Sequence, residues 1–209
     1  MKTTNLAKLR KEMEQTLERK RFEHTLGVAY TAANLAMVHG ADVDKALVAG
    51  MLHDCAKCMS HRKQIALCRK NHIQLSQIET EEHSTLLHAK AGCCLARKKY
   101  GITDEDILRA ISYHTTGRPH MSLLEKIIYI ADYIEPGREH AKRTAADIQN
   151  LQKVRKLAYQ DLDETLCKIL SDTLDYLVRK GGVIDGITRQ TYEYYCESLT
   201  GEITERNIL

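Results

Sequence analysis

Apolar residues recur along this chain at intervals of three and four positions, which is the spacing of amphipathic helices. Leu6, Leu9, Met13 and Leu17 show it first, and no convincing β-strand alternation appears. The pattern therefore predicts an all-α protein. The predicted helices span about 5–20, 22–38, 43–52, 60–71, 80–100, 107–113, 123–134, 145–160, 163–180 and 188–198, with a loop over 72–79.

Polar residues at several predicted helix starts support these boundaries. Asp42 can cap the third helix, Ser122 with Glu125 has the spacing of a capping box, and Thr103 with Asp106 is a second capping pair. The chain has only two prolines, no internal repeat and no low-complexity linker. We therefore expect one domain over residues 1–209, built as a single helical bundle.

Charge and hydropathy exclude several classes of protein. The 209 residues carry a formal net charge of +3, so nucleic acid is not indicated as a main partner. Hydrophobic residues make up 43% of the chain, enough for a core, yet no run approaches the roughly 20 residues of a membrane span. The first residues lead into a charged helix and do not resemble a signal peptide. We expect a cytoplasmic protein without membrane contact, and a homodimer stays open.

The seven cysteines do not form a recognisable framework. Their number is odd and their spacing irregular, which argues against a secreted, disulfide-rich fold. Cys55 and Cys58 form a C-x-x-C pair, but Cys93 and Cys94 are adjacent and cannot supply a matching second pair. A redox motif or a structural zinc site remains an alternative interpretation of Cys55 and Cys58.

Candidate chemistry begins at the stretch 49–57, where an apolar helix ends in His53 and Asp54. A carboxylate among apolar residues is costly unless a partner compensates its charge, and Asp132 lies in an equally apolar segment. His24, His88 and His114 also lie within apolar helical patterns. Each histidine by itself is as compatible with an ordinary core residue as with a metal ligand. Together with the two aspartates they form a ligand set that divalent metals accept.

Four stretches of the chain, 22–28, 49–57, 110–117 and 127–138, resemble HD-domain metal-dependent phosphohydrolases. The Tyr-His-Thr-Thr-Gly sequence at 113–117 and the Ala-Asp-x-Ile-Glu-Pro-x-Arg sequence at 131–138 are the most specific. They are similar to the bacterial YqeK family of symmetrical diadenosine tetraphosphate hydrolases. The resemblance covers roughly residues 20–195 and implies a helical bundle of the HD-domain type. Cys58 and the tail after about Leu199 depart from the family pattern.

The resemblance implies two bound transition-metal ions, with iron expected first and Mn, Co or Zn as alternatives. One ion would be held by His24, His53, Asp54 and Asp132, and the second by His88 and His114, with Asp54 bridging. Two such ions can activate a hydroxide for attack on phosphorus. Lys57 follows His53 by four residues and would point to the same side if the helix continued one turn. It would then stabilise charge on the phosphate, or else lie in solvent.

Substrate contacts are expected beside these ligands. Thr115, Thr116 and Gly117 form a polar loop suited to phosphate oxygens. Arg138 could fork onto a phosphate, or it could only cap the preceding helix.

The predicted function is hydrolysis of diadenosine tetraphosphate into two ADP, with Asp54 and Lys57 as the catalytic residues. Two alternatives remain open from the sequence. One is an HD-domain phosphohydrolase acting on a nucleoside monophosphate or a guanosine stress nucleotide. The other is a nucleotide-binding module without catalytic activity.

Overall fold

The computed structural model describes residues 5–81, 84–140 and 144–197, and over these ranges every regular element is helical. The all-α prediction is confirmed. The α-helices are α1 (Leu6–Thr16), α2 (Arg19–His39), α3 (Val43–Leu52), α4 (His61–Lys70), α5 (Gln77–Thr80), α6 (Leu87–Lys98), α7 (Glu105–Tyr113), α8 (Leu123–Ile134), α9 (Ala145–Ala158), α10 (Leu162–Arg179) and α11 (Gly186–Tyr192). A 3₁₀ turn, Pro136–His140, follows α8, and a π-helical segment, Glu193–Glu197, continues α11.

Two of the three predicted caps are confirmed. The Asp42 side chain accepts the Lys45 N–H at 3.0 Å, and Ser122 with Glu125 forms a complete capping box. The third prediction, Thr103 with Asp106, is wrong. Asp104 caps α7 instead, because it is the residue with the extended N-cap backbone and its carboxylate accepts the N–H groups of Asp106 and Ile107.

The predicted helix over 80–100 is also wrong at its start. A capping box at Ser76 and Glu79 begins the short helix α5 inside the predicted loop, and α6 begins only at Leu87. Glu79 is buried and forms an ion pair with Lys90 of α6, at 2.7 Å. That pair ties the short helix to α6.

The core lies among α2, α3, α7 and α8, where Leu52, Ile111 and Ile127 are fully buried. Gly50 allows α3 to approach α2 closely, because a Cβ at that position would lie 2.6 Å from the Cα of Ala29. The close approach determines how far the end of α3 lies from the side chains of α2. Across the described ranges, no helix is long and apolar enough to cross a bilayer.

The last helix packs against the loop that follows α7. The Thr191 hydroxyl donates to the Thr116 carbonyl at 3.1 Å, and the Tyr195 hydroxyl accepts the Met121 N–H at 2.9 Å. The predicted helix over 188–198 thus begins two residues earlier and turns π-helical after Tyr192. Residue 198 and the tail after about Leu199 lie outside the described residues.

The cysteines include a pairing that lies outside the redox and zinc interpretations of Cys55 and Cys58. Cys167 of α10 and Cys196 form a disulfide, a pair that the sequence pattern did not indicate. Cys55 is buried and donates to the Gly92 carbonyl, whereas Cys58 is exposed. Among the described residues, the clusters with metal-ligand geometry contain no cysteine. Within these ranges, Cys55 and Cys58 therefore belong to neither of the two three-residue ligand clusters.

Candidate metal centre

Five helices bring the six predicted ligands to one place. His53 and Asp54 follow α3 directly, and His114 follows α7, so all three project from helix ends. His53, Asp54, His88 and His114 are buried, and the other two are partly buried. The contributing residues are His24 of α2, His53 and Asp54 after α3, His88 of α6, His114 after α7 and Asp132 of α8.

Asp54 lies at the centre and its two oxygens face different histidines. Its Oδ1 atom is 3.0 Å from Nε2 of His88 and 3.7 Å from Nε2 of His114. Its Oδ2 atom is 3.5 Å from Nε2 of His53 and 3.8 Å from Nε2 of His24. A carboxylate with one oxygen toward each pair of imidazoles has the geometry of a bridging ligand.

Asp132 completes one side of this arrangement. Its Oδ1 atom is 3.0 Å from Nε2 of His24 and 4.0 Å from Nε2 of His53. Two groups of potential ligand atoms each lie within 4.8 Å of one another: His24 with His53 and Asp132, and His53 with Asp54 and His114. The cluster thus contains two overlapping ligand sets of imidazole and carboxylate, which suit a divalent metal.

All four imidazoles turn Nδ1 away from the centre and toward an oxygen acceptor. Such a contact places the ring proton on Nδ1 and leaves the lone pair of Nε2 available as a ligand. The four contacts run from His53 to Gly50 O at 2.7 Å, from His88 to Thr85 O at 2.6 Å, from His114 to Ile111 O at 2.7 Å and from His24 to Glu135 Oε1 at 3.0 Å.

The inward nitrogens show that a metal fits. The Nε2 atoms of His24 and His53 are buried and make no hydrogen bond with any residue that the structure describes, although Asp132 is near both. Such orphaned atoms are costly and rare. The Nε2 atoms of His88 and His114 lie 3.1 Å apart. Two lone pairs at this distance repel each other unless a proton or a cation is shared between them.

The charges of the cluster also favour a cation. Burial opposes ionisation of Asp54, but the neighbouring imidazoles of His53, His114 and His88 hold its pKa well below the usual range. Burial likewise opposes ionisation of Asp132, yet the adjacent His24 ring and the charge of Arg138 lower its pKa strongly. Burial lowers the pKa of His88 to about 4, so this ring is neutral at physiological pH and can act as a ligand.

Lys57 reaches the cluster by a different route from the one expected. Helix α3 ends at Leu52, and residues 53–59 form successive turns, so the expected further helical turn is wrong. The Lys57 Nζ atom nevertheless lies 3.1 Å from Nδ1 and 3.3 Å from Nε2 of His88. Burial lowers the pKa of Lys57. The ammonium group is therefore held at the His88 side of Asp54.

Some polar groups of the predicted substrate loop already form hydrogen bonds within the protein. The Thr116 hydroxyl donates to the Gly117 carbonyl at 3.0 Å, and the Gly117 N–H donates to the Tyr113 carbonyl at 2.8 Å. Gly117 has φ 62°, and a Cβ there would lie 2.7 Å from Thr191. Thr115 is half-buried and adjoins His114. Substrate contact by Thr115, Thr116 and Gly117 stays a prediction.

Two further residues at the site were missed by sequence reasoning. Arg21 donates to Asp54 Oδ2 at 2.8 Å, and Glu135 accepts from His24. The available signals were the i, i+3 spacing of Arg21 and His24, and the place of Glu135 between Asp132 and Arg138. Arg138, which was predicted, donates from Nε to the Asp132 carbonyl at 2.8 Å and also contacts the Asp132 carboxylate.

The HD domain family model matches residues 21–137, which include all six clustered residues. The chain belongs to the HD domain family. Its sequence is 42% identical over 177 residues to "Bis(5'-nucleosyl)-tetraphosphatase, symmetrical" of Halalkalibacterium halodurans, with 84% of this chain and 89% of that protein covered. It is 40% identical over 184 residues to the Bacillus subtilis protein of the same name, with 87% and 92% covered.

A solved structure of an HD superfamily hydrolase supports the fold of this HD domain. The Clostridium acetobutylicum protein, described as a "predicted HD superfamily hydrolase involved in NAD metabolism", matches with a TM-score of 0.83 at 40% identity. The match covers 92% of this chain and 97% of that one. The sequence-based resemblance and the HD-type helical fold are therefore both confirmed.

Proposed function

We propose that this HD domain is a metal-dependent hydrolase that cleaves diadenosine tetraphosphate symmetrically into two ADP. The observation that carries the proposal is the arrangement of four imidazoles around Asp54. Their Nε2 atoms point inward, and each carboxylate oxygen of Asp54 faces a different pair of them. The substrate comes from the names of relatives at 40–42% identity that are matched over most of their length.

The six clustered residues would hold two transition-metal ions, with iron as the first candidate and Mn, Co or Zn as alternatives. His24, His53 and Asp132 with Oδ2 of Asp54 would form one site. His88 and His114 with Oδ1 of Asp54 would form the other. The support is geometric, since each Asp54 oxygen faces one of these groups.

The residues around the cluster have distinct tasks in the reaction. Bound divalent ions would lower the pKa of water and polarise the phosphoryl oxygens. Lys57, beside His88, would donate a hydrogen bond to the phosphoryl oxygen on which charge accumulates as the bond to the leaving ADP breaks. Arg138 would hold a neighbouring phosphate with its guanidinium, in addition to fixing Asp132.

We further propose that the chain forms one domain over residues 1–209 and acts in the cytoplasm on a dinucleoside polyphosphate. The near-neutral charge supports a small nucleotide rather than nucleic acid as the partner. A homodimer is compatible with the exposed apolar residues Tyr30, Met37 and Val38 of α2.

The decisive experiment is a product profile. Purified protein loaded with Fe, Mn or Co is incubated with diadenosine tetraphosphate, and the nucleotides are separated by chromatography. ADP as the sole product supports the proposal, whereas ATP with AMP contradicts symmetrical cleavage. Turnover of a nucleoside monophosphate or a guanosine nucleotide alone would favour another HD phosphohydrolase activity. Binding without turnover under any metal would indicate a non-catalytic module.

Metal content tests the centre separately. Elemental analysis of protein purified anaerobically without chelator should give close to two transition-metal ions per chain. Absence of metal, together with no activation by added Fe, Mn or Co, would refute the dinuclear centre.

A further inference from the structure

Two arginines flank the metal cluster and contact its two carboxylates. Arg21 of α2 contacts Asp54, and Arg138 of the 3₁₀ turn contacts Asp132. Both arginines line one cleft.

Arg21 is well placed to contact more than Asp54. Its side chain is 35% exposed, whereas that of Asp54 is 3% exposed. A guanidinium carries five N–H donors, and within the described ranges only Nη1 of Arg21 is engaged, by Asp54 Oδ2 at 2.8 Å. The remaining donors are available to another acceptor at the mouth of the site.

The cleft beside Arg21 is large enough for a nucleotide. It has a volume of about 710 Å³ and is lined by the start of α2 and the 3₁₀ turn, including Lys20, Arg21, His24 and Arg138. This volume lies within the range of small-molecule sites, roughly 300–1,000 Å³.

Three acidic residues also line the cleft. Glu18 and Glu23 are exposed, so solvent screens their charge, and Glu135 is buried against His24. The cleft therefore presents cationic groups directly beside the cluster. An anionic ligand is the chemistry that fits this surface.

We propose that Arg21 is a polyphosphate-binding residue, which anchors the phosphates next to the one that is attacked. The inference rests on the proposed function for the site's location relative to the metals. Asp54 Oδ2 faces His24 and His53, so as a metal ligand it would use the lone pairs that Arg21 contacts. The guanidinium is then free to fork onto two phosphate oxygens, a geometry that matches its donors.

The experiment compares Arg21→Ala and Arg21→Lys with Arg19→Ala, a control two residues away whose side chain is 91% exposed. Metal-loaded proteins are titrated with ADP and with inorganic tripolyphosphate by calorimetry, and their metal content is measured. Arg21→Ala should weaken binding of both ligands about 10- to 100-fold, as expected for loss of a charged hydrogen bond. Arg21→Lys should give an intermediate loss, because it retains charge without the fork. Arg19→Ala should be unchanged.

Metal content separates this role from support of Asp54. If Arg21 binds phosphate, both variants retain their metals, because the guanidinium competes with the metal for Oδ2. Loss of metal in Arg21→Ala, or unchanged affinity for both ligands, would overturn the proposal. If Arg21→Ala does not fold, the Arg21→Lys titration decides by the same criteria. Failure of the starting protein to hydrolyse diadenosine tetraphosphate would refute the proposed function, whereas the binding titrations still report on Arg21.

Discussion

Nδ1 of His24 lies 3.0 Å from Oε1 of Glu135, a residue 111 positions away in the chain. The other three imidazoles of the cluster donate to a backbone carbonyl three residues earlier. His24 therefore depends on a side chain for its orientation. Glu135 is itself fixed, since it accepts the Gly137 N–H at 2.5 Å and leaves no space for a Cβ at Gly27.

Replacing Glu135 should weaken metal binding at the His24 side of the cluster. We expect Glu135→Ala to lower metal affinity about 10- to 100-fold, the usual effect of losing a carboxylate behind a ligating histidine. Glu135→Gln should lose less, because its amide oxygen can still accept from Nδ1. Competition with a chromogenic chelator measures this, with the exposed Glu105→Ala as the control. Undiminished affinity in Glu135→Ala would show that packing alone orients His24.

The alanine variants of Asp54 and Asp132 should differ in the number of metal ions that the protein retains. Because Asp54 faces both histidine pairs, Asp54→Ala should lose both metals and all activity together. Asp132 faces only His24 and His53, so Asp132→Ala should keep about one ion at the His88 side. Elemental analysis of both variants checks this. Equal metal content in the two variants would contradict the bridging role of Asp54.

Lys57 should act on the phosphate and not on metal retention. Lys57→Ala should keep its metals while turnover falls by about 10²–10³, or roughly 2.7–4 kcal/mol, with a smaller effect on substrate binding. Steady-state kinetics with metal analysis tests this, and the exposed Lys63→Ala is the matched control. A variant with normal metals and near-normal turnover would leave Arg138 as the better candidate for this cationic role.

Gly50 should be intolerant of a side chain. A Cβ there would meet the Ala29 backbone at 2.6 Å, so Gly50→Ala must separate α3 from α2. We expect the free energy of unfolding to fall by about 1–3 kcal/mol, as in other overpacked cores. Urea unfolding measures the change. Gly186→Ala is the control, because a Cβ there meets no atom within 4 Å. Equal stability of the two variants would show that α2 and α3 can separate at no cost.

The free energy of unfolding of metal-stripped protein should decrease as the pH is lowered, because of His88. Its pKa is about 4 in the folded protein against 6.5 for an unperturbed histidine, so the unfolded chain binds more protons between these values. The stability associated with a neutral, buried His88 is fully present above pH 6.5. It declines as the pH falls toward 4, by up to about 1.4 kcal/mol per pH unit. Urea unfolding at pH 7 and pH 5 should show a smaller pH effect in His88→Gln. Parallel losses in the two proteins would contradict a buried, neutral His88.

The sequence by itself determined the helical class and the identity of the clustered residues. Periodicity and capping act within a few neighbouring positions, so α3 and α8 could be predicted with their bounds. Ionisable residues within apolar segments, such as Asp132, marked the site because burying a charge demands a partner. Where a local signal was ambiguous, as at Thr103 and Asp104, the prediction failed by a single residue.

The tertiary structure decided which atoms meet. The close approach of Gly50 to Ala29 places His53 near His24, and no local pattern contains that distance. The Asp54 contact with Arg21 spans 33 positions, so it forms only once α2 and α3 have packed. Side-chain pairs of this kind depend on the packing distance and relative rotation of whole helices. Sequence periodicity specifies which face of a helix is buried, but not which residue of another helix lies opposite it.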